Sequence, residues 1–215
     1  MQKYTHIIWD WNGTLLDDIA CCVEIINSLL RSRGLPVFES PEEYRRAFRF
    51  PVRAYYKLIG LDTAEEPFEK IAVEFIKLYY SSANKAALFP GAADVVSAFQ
   101  DKGLRQVILS ASELQYLLMQ IKAFGIDIYF DEILGASDIY AAGKIDIGKA
   151  YIRRASPVRA VLIGDTAHDK EVADALGVDC VLIAGGHQTR ETLLSSGATV
   201  VDCIRDITLC IKYKY

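Results

Sequence analysis

Apolar positions along this chain keep two different rhythms. A short apolar run, Tyr4 to Trp9, opens the sequence and halts at Asp10. From Asp17 to Arg33 apolar residues recur at Ile19, Val23, Ile26, Leu29 and Leu30, the stripe of an amphipathic helix, and Gly34 then Pro36 end it. Ser40-Pro41-Glu42-Glu43 supplies an N-cap serine, a first-turn proline and a capping-box glutamate, so a second helix begins there. Phe68, Ile71, Phe75 and Leu78 predict a third helix over Pro67 to Tyr80. No stretch between Asp17 and Ala87 alternates as a strand does.

Beyond Pro90-Gly91 helical and wholly apolar segments take turns. Helices are predicted for Ala92 to Lys102, Glu113 to Phe124, Ile145 to Ala155 and Lys170 to Leu176, with a last one starting at Thr189. Between and after them lie strand candidates at Gln106 to Leu109, Ile133-Leu134, Ala160 to Ile163, Cys180 to Ile183 and Thr199 to Val201. Strands that are apolar throughout and alternate with helices imply an α/β fold, a parallel sheet with helices on both faces. The run Tyr4 to Trp9 must join that sheet, because one strand cannot stand alone. The chain then divides into an α/β core, residues 1–15 and 88–215, and a small all-helical cap domain inserted after the first strand, residues 16–87.

Composition narrows the function classes. The chain has 215 residues, 52% of them hydrophobic and 24% charged, with a formal charge of −4. That balance gives no basic stripe for nucleic acid. No apolar run reaches the roughly 20 residues that span a bilayer, so no membrane partner is expected. Met1 to Trp11 lacks the basic, apolar and small-residue sequence of a secretory signal. Five cysteines, Cys21, Cys22, Cys180, Cys203 and Cys210, are odd in number and lack metal spacing, which fits reduced thiols in the cytoplasm.

In open α/β sheets ligands bind beyond the carboxyl ends of the strands. Here those ends carry Asp10, Ser110 and Gly164-Asp165-Thr166-Ala167-His168-Asp169, and Lys144 follows Gly143 at a helix start. Two strands ending in aspartate and one in serine, all on one rim, make a polar cluster that a fold built for stability alone does not need. Each motif alone also has a structural reading, Asp10 as a loop residue and Asp165 as a helix cap. Ser112 and Glu113 read as capping, His168 and His187 as rim or surface histidines. Arg45, Arg46, Arg49, Arg53 and Lys57 read as a solvated helix face, from which Arg49 and Arg53 are the candidates to meet an anion under a closing cap.

Asp10-Trp11-Asn12-Gly13-Thr14-Leu15-Leu16-Asp17 resembles the first motif of the haloacid dehalogenase superfamily. Ser110 matches its second motif, Lys144 its third, and Gly164-Asp165 to Asp169 its fourth, in order over nearly the whole chain. The resemblance implies a Rossmann-like core and a helical cap, as in phosphoglycolate phosphatases. It implies a phosphoric monoester hydrolase in which Asp10 attacks phosphorus and forms an aspartyl-phosphate. It further implies Mg2+ held by Asp10, Asp165 and the backbone carbonyl of Asn12, with Asp169 as a ligand or steering group. Gly13, Ser110, Ala111 and Lys144 would contact the phosphate, Ser110 and Lys144 holding its transferring oxygens. The expected partner is a small phosphorylated metabolite.

One residue departs from the family pattern. Relatives carry aspartate two positions after the nucleophile, where it protonates the leaving group; this chain has Asn12. An amide shuttles no proton, and general acid–base catalysis is worth on the order of 10²–10⁴ in rate. Either the substrate has a good leaving group, such as an acyl phosphate or phosphoanhydride, or another group, His168 or a substrate hydroxyl, supplies the proton; Asn12→Asp is expected to speed alkyl phosphate turnover. The alternatives are a slow or non-catalytic phosphate-binding protein and a carbon–halogen hydrolase. Asp165 and Asp169 argue against the last, which needs no metal.

Overall fold

The computed structural model describes residues 3–82, 85–136 and 143–211. Strand β1 (His6–Trp9) leads through a tight loop to the two-residue β2 (Leu16–Asp17). Four helices follow: α1 (Ile19–Ser32), α2 (Pro41–Ala47), α3 (Val52–Leu58) and α4 (Phe68–Ser82). Strand β3 (Ala87–Leu88) returns antiparallel to β2. The alternating part then runs α5 (Ala92–Asp101), β4 (Arg105–Glu113), α6 (Leu114–Ala123), β5 (Glu132–Ala136) and α7 (Lys144–Ala155). It continues through β6 (Ala160–Gly164), α8 (Ala167–Leu176), β7 (Asp179–Ile183), α9 (Arg190–Ser195), β8 (Thr199–Val201) and α10 (Ile207–Cys210).

Six strands form one parallel sheet in the order β5-β4-β1-β6-β7-β8. In the centre Trp9 registers with Ile108 on one side and Ile163 on the other, so the ends of β1 and β6 lie beside the Leu109-Ser110 stretch of β4. Successive side chains of a strand face opposite ways. Ile7, Trp9, Ile108 and Ile163 accordingly pack with Val96 and Phe99 of α5 and Leu117 of α6. Ile8, Val107 and Leu162 pack with Tyr151 of α7 and Val172 and Ala173 of α8. Both faces are covered, which explains why the strands read as unbroken apolar runs.

Helices α1 to α4 bury a cluster of their own, with Ile26, Leu30, Tyr44, Tyr55, Tyr56 and Ile71 inside. Tyr116 of α6 joins it, its ring stacked on Tyr80 at 3.9 Å. Ser40 caps α2 by accepting from the Glu43 amide, as its motif predicts. Three features depart from the sequence expectation. The short α3 and α10 escape periodicity because so few turns present a stripe, and β2 with β3 pairs only two residues each. β4 runs on to Glu113 through an irregular register after Leu109, rather than stopping at the rim. Among the described residues no helix is long and apolar enough to cross a membrane.

Candidate active site

The site grows from the three central strand ends. Asp10 follows β1 directly, and its amide donates to the Ile163 carbonyl at 2.8 Å, so the sheet ladder fixes its backbone. Gly164 ends β6, and Thr166 caps α8 in a reciprocal capping box with Asp169. Asp165 therefore sits between strand and helix, and Thr166, not Asp165, is the cap. Lys144 is the first residue of α7, entered through Gly143 at φ 108°, a left-handed turn that glycine adopts without strain.

These elements converge. Lys144 Nζ donates to Asp10 Oδ1 and to Asp169 Oδ1, both at 2.7 Å and both buried. Asp169 turns its other oxygen back to the Thr166 amide at 3.1 Å and hydroxyl at 2.7 Å. Asp165 accepts from the Thr14 hydroxyl at 3.1 Å and from the His187 amide at 2.6 Å. Gly13 and Gly186 make room for that carboxylate: a Cβ on either would lie 2.3 or 2.2 Å from Asp165 Oδ2. Ser110, in β4, is buried and its Oγ accepts from the Ser112 amide at 3.1 Å.

Charge is the dominant feature. Burial pushes the Asp10 carboxyl up to about 6, although Lys144 draws it down; the Asp169 charge adds to the rise. Burial likewise lifts Asp165 to about 7, against the pull of His187 and with the push of Asp169 and Asp10. Asp169 is also desolvated, yet Lys144 and the Thr166 donors hold it below the usual carboxylate range. Lys144 loses solvation too, but Asp10 and Asp169 keep it charged well above its ordinary range. One lysine thus answers two of three carboxylates, each of which brings an oxygen within 4.8 Å of the others. An all-oxygen donor set with excess negative charge is what a hard divalent cation requires, so Asp10, Asp165 and Asp169 fit one.

A second buried cluster adjoins the first. Asp18 accepts from Asn12 Nδ2 at 2.8 Å, the Tyr79 hydroxyl at 2.8 Å and the Gly13 amide at 3.1 Å. His187 Nε2 lies 3.3 Å from Asp18 Oδ1, and its Nδ1 is 2.9 Å from the Tyr44 hydroxyl. Burial opposes the imidazolium, but Asp18 raises the His187 pKa to about 9. Burial opposes the Asp18 carboxylate as well, and His187, Asn12 and Tyr79 together hold its pKa below normal. Asp18, Cys22 and His187 also bring their ligand atoms within 4.8 Å. Here the protons of His187, Asn12 and Tyr79 already answer the carboxylate, unlike the cluster around Asp10.

The rim residues Asp10, Asn12, Gly13, Ser110, Lys144, Asp165 and Asp169 occupy one end of the sheet, and Ala111 follows Ser110 there. Arg49 and Arg53 stand apart. Arg49 is exposed and donates to the Ala47 carbonyl, and Arg53 is exposed, ion-paired with Glu69 and laid over Phe68. Arg45, read as solvated, instead reaches the Gly186 and Gly185 carbonyls at 2.8 and 2.9 Å. His168 stays on the rim, stacked on Phe50 and paired with Glu171. His187 is buried rather than superficial, and Ser112 donates to Asn12 Oδ1 at 2.8 Å rather than capping α6, which Glu113 does. Asp18 and Tyr79 escaped the sequence reading, and His187 was read as a rim or surface residue, because the three are distant in sequence; the aspartate at the start of α1 was the one local signal, and only its burial separates Asp18 from the exposed Asp17.

The family model for haloacid dehalogenase-like hydrolases matches residues 7–183, and the chain belongs to that family. The tyrosine-protein kinase PtkA of Mycobacterium tuberculosis is 27% identical over 201 residues, covering 91% of this chain and 67% of that protein. Its solved structure superposes with a TM-score of 0.79 at 22% identity, covering 98% of this chain and 99% of that one. The phosphoglycolate phosphatase of Caulobacter vibrioides is 27% identical over 204 residues, covering 91% and 85%. CbbY from Rhodobacter sphaeroides, solved in complex with phosphate, shares the fold with a TM-score of 0.69 at 23% identity, covering 93% and 94%.

Proposed function

We propose that this chain is a magnesium-dependent phosphatase that hydrolyses a small phosphorylated metabolite through an aspartyl-phosphate on Asp10. The observation that carries the reading is the bridge of Lys144 between Asp10 and Asp169 inside a set of three buried carboxylates. Family membership and relatives described as phosphatases support it. Residues 16–87 would act as the cap and residues 1–15 and 88–215 as the catalytic core; the separate apolar cluster of α1 to α4 supports that division. A reducing cytoplasm completes the reading and is supported by cysteines that form no disulfide.

Asp10 and Asp165, with the Asn12 carbonyl, would hold Mg2+, and Asp169 would be a further ligand or a steering group. The ion supplies positive charge that draws phosphoryl oxygens to carboxylates that would otherwise repel them. Lys144 favours the ionised Asp10, whose oxygen attacks phosphorus while the leaving-group oxygen departs with the electron pair. Ser110 and Lys144 would hold the equatorial oxygens as their charge redistributes. Water then displaces Asp10 and releases phosphate. The side chain of Asn12 passes no proton, so leaving groups that depart as stable anions are favoured.

Phosphate release from acetyl phosphate and a panel of phosphomonoesters, with MgCl2 or EDTA, tests the reading. Turnover that needs Mg2+ and vanishes in Asp10→Asn is expected. Equal turnover with EDTA, or an active Asp10→Asn, would overturn it.

A further inference from the structure

Between α1 to α4 and the sheet rim lies a cavity of about 220 Å³. Its core end is formed by Asn12, Ala111 and Ser112, within two residues of Asp10 and Ser110. Its walls are rings: Tyr44, Phe48, Phe50, Tyr55, Phe75 and Tyr79 all line it. A cavity of about 150 Å³ with apolar walls is enough to take benzene, so this one has room for an aryl group. Asp18 and His187 are the charged groups among the described lining residues, and each already answers the other at 3.3 Å. No lysine or arginine appears among the described lining residues, so a carboxylate carried by a substrate would be desolvated there without a partner.

We propose that this cavity is the leaving-group site for an aryl phosphate, an aromatic ring esterified through a phenolic oxygen. The inference rests on the phosphatase reading above and names its substrate class. A second, independent observation agrees with it. Asn12, at the mouth, is pinned through Nδ2 to Asp18 and Tyr79 and through Oδ1 to Ser112, and offers no acid. A phenol ionises near pH 10, as tyrosine does, so an aryloxide leaves without protonation far more readily than an alkoxide. The Tyr55 hydroxyl in the wall is buried and has no hydrogen-bond partner among the described residues, and it suits a polar substituent on the ring. In the step itself the Asp10–phosphorus bond forms as the phosphorus–aryloxide bond breaks, the electron pair leaving on the phenolic oxygen. Water then cleaves the acyl phosphate, and its proton ends on the aryloxide.

The test compares kcat/KM for 2-naphthyl phosphate, phenyl phosphate, acetyl phosphate and phosphoglycolate with Mg2+ present. Acetyl phosphate has the better leaving group but nothing to fill the cavity. The expected result is a preference for 2-naphthyl phosphate over acetyl phosphate of at least about tenfold. Ala72→Leu, which fills the cavity, should lower that ratio at least about fivefold on the same grounds. Calorimetry with naphthylmethylphosphonate and methylphosphonate on the wild-type protein reads the cavity without turnover. Preference for acetyl phosphate or phosphoglycolate overturns the aryl assignment and leaves the phosphatase standing. No turnover of any ester, with tighter binding of the naphthyl phosphonate, overturns the phosphatase and with it the leaving-group role, and leaves the cavity as an aryl-binding site. Equal binding of the two phosphonates overturns the cavity assignment directly.

Discussion

The side-chain amide of Asn12, two positions past Asp10, donates a 2.8 Å hydrogen bond to the carboxylate of Asp18 at the threshold of α1. Asn12 is thus engaged rather than idle. It is one of the donors that keep a buried carboxylate ionised, and Asp18 in turn keeps His187 charged.

That bond changes what Asn12→Asp alone should do. A second carboxylate would face Asp18 in the place of a donor, and one of the two must take up a proton or be repelled. We expect the single variant to lose about 1–3 kcal/mol of stability, as for a buried acceptor stripped of its donor, and to gain little activity. Exchanging the pair, Asn12→Asp with Asp18→Asn, restores one carboxylate and one amide. The exchanged protein should hydrolyse alkyl phosphates roughly 10²–10⁴ times faster than wild type. Urea unfolding and steady-state rates on ethyl phosphate check both halves; a single variant as fast as the exchanged one would refute the role of Asp18.

Stability should decline on the alkaline side because of His187. Its folded pKa, about 9, lies above the unfolded value near 6.5. The folded state therefore binds the extra proton, and the stabilisation is complete below about pH 6.5 and lost as pH rises through about 9. The size is on the order of 1–3 kcal/mol. Urea midpoints for wild type and His187→Gln from pH 6 to pH 10 measure it. The variant should be the less stable at pH 6, and the two should converge by pH 10. A constant difference across that range would show that the Asp18 pair contributes nothing through charge.

Arg45 and Arg53 belong to one run of basic residues, yet they should differ. Arg45 makes two charge-assisted bonds to the Gly185 and Gly186 carbonyls, joining α2 to the loop after β7. Arg45→Ala should cost about 1.5–3 kcal/mol, the range for hydrogen bonds to a charged group. Arg53 pairs with Glu69 on the exposed surface, and Arg53→Ala should cost under about 1 kcal/mol. Paired urea titrations read the contrast, and equal losses would show that the Arg45 contacts do not hold α2 in place.

Much of the frame was legible before any coordinates. Alternation marked the parallel sheet because both its faces are buried, and the strand ends marked Asp10, Ser110 and Asp165 because loops at that rim collect polar groups. Ser40-Pro41-Glu42-Glu43 placed a helix start because capping is local chemistry. Arg53 was preferred to Arg45 as an anion contact, yet Arg45 is the one that reaches the loop after β7: a basic residue on a helix says nothing of what stands opposite.

The sequence by itself determined the order of elements, the motif residues and the presence at position 12 of an amide, which passes no proton, since each is a property of neighbours along the chain. Only the tertiary structure decided that Lys144 joins Asp10 to Asp169, that Asp18 finds His187, and that rings from α2, α3, α4 and the segment between α2 and α3 close over Asn12. Those pairings span up to 169 positions, as between Asp18 and His187. Burial and electrostatic pairing act through space, and no local pattern records which distant group will supply the answering charge.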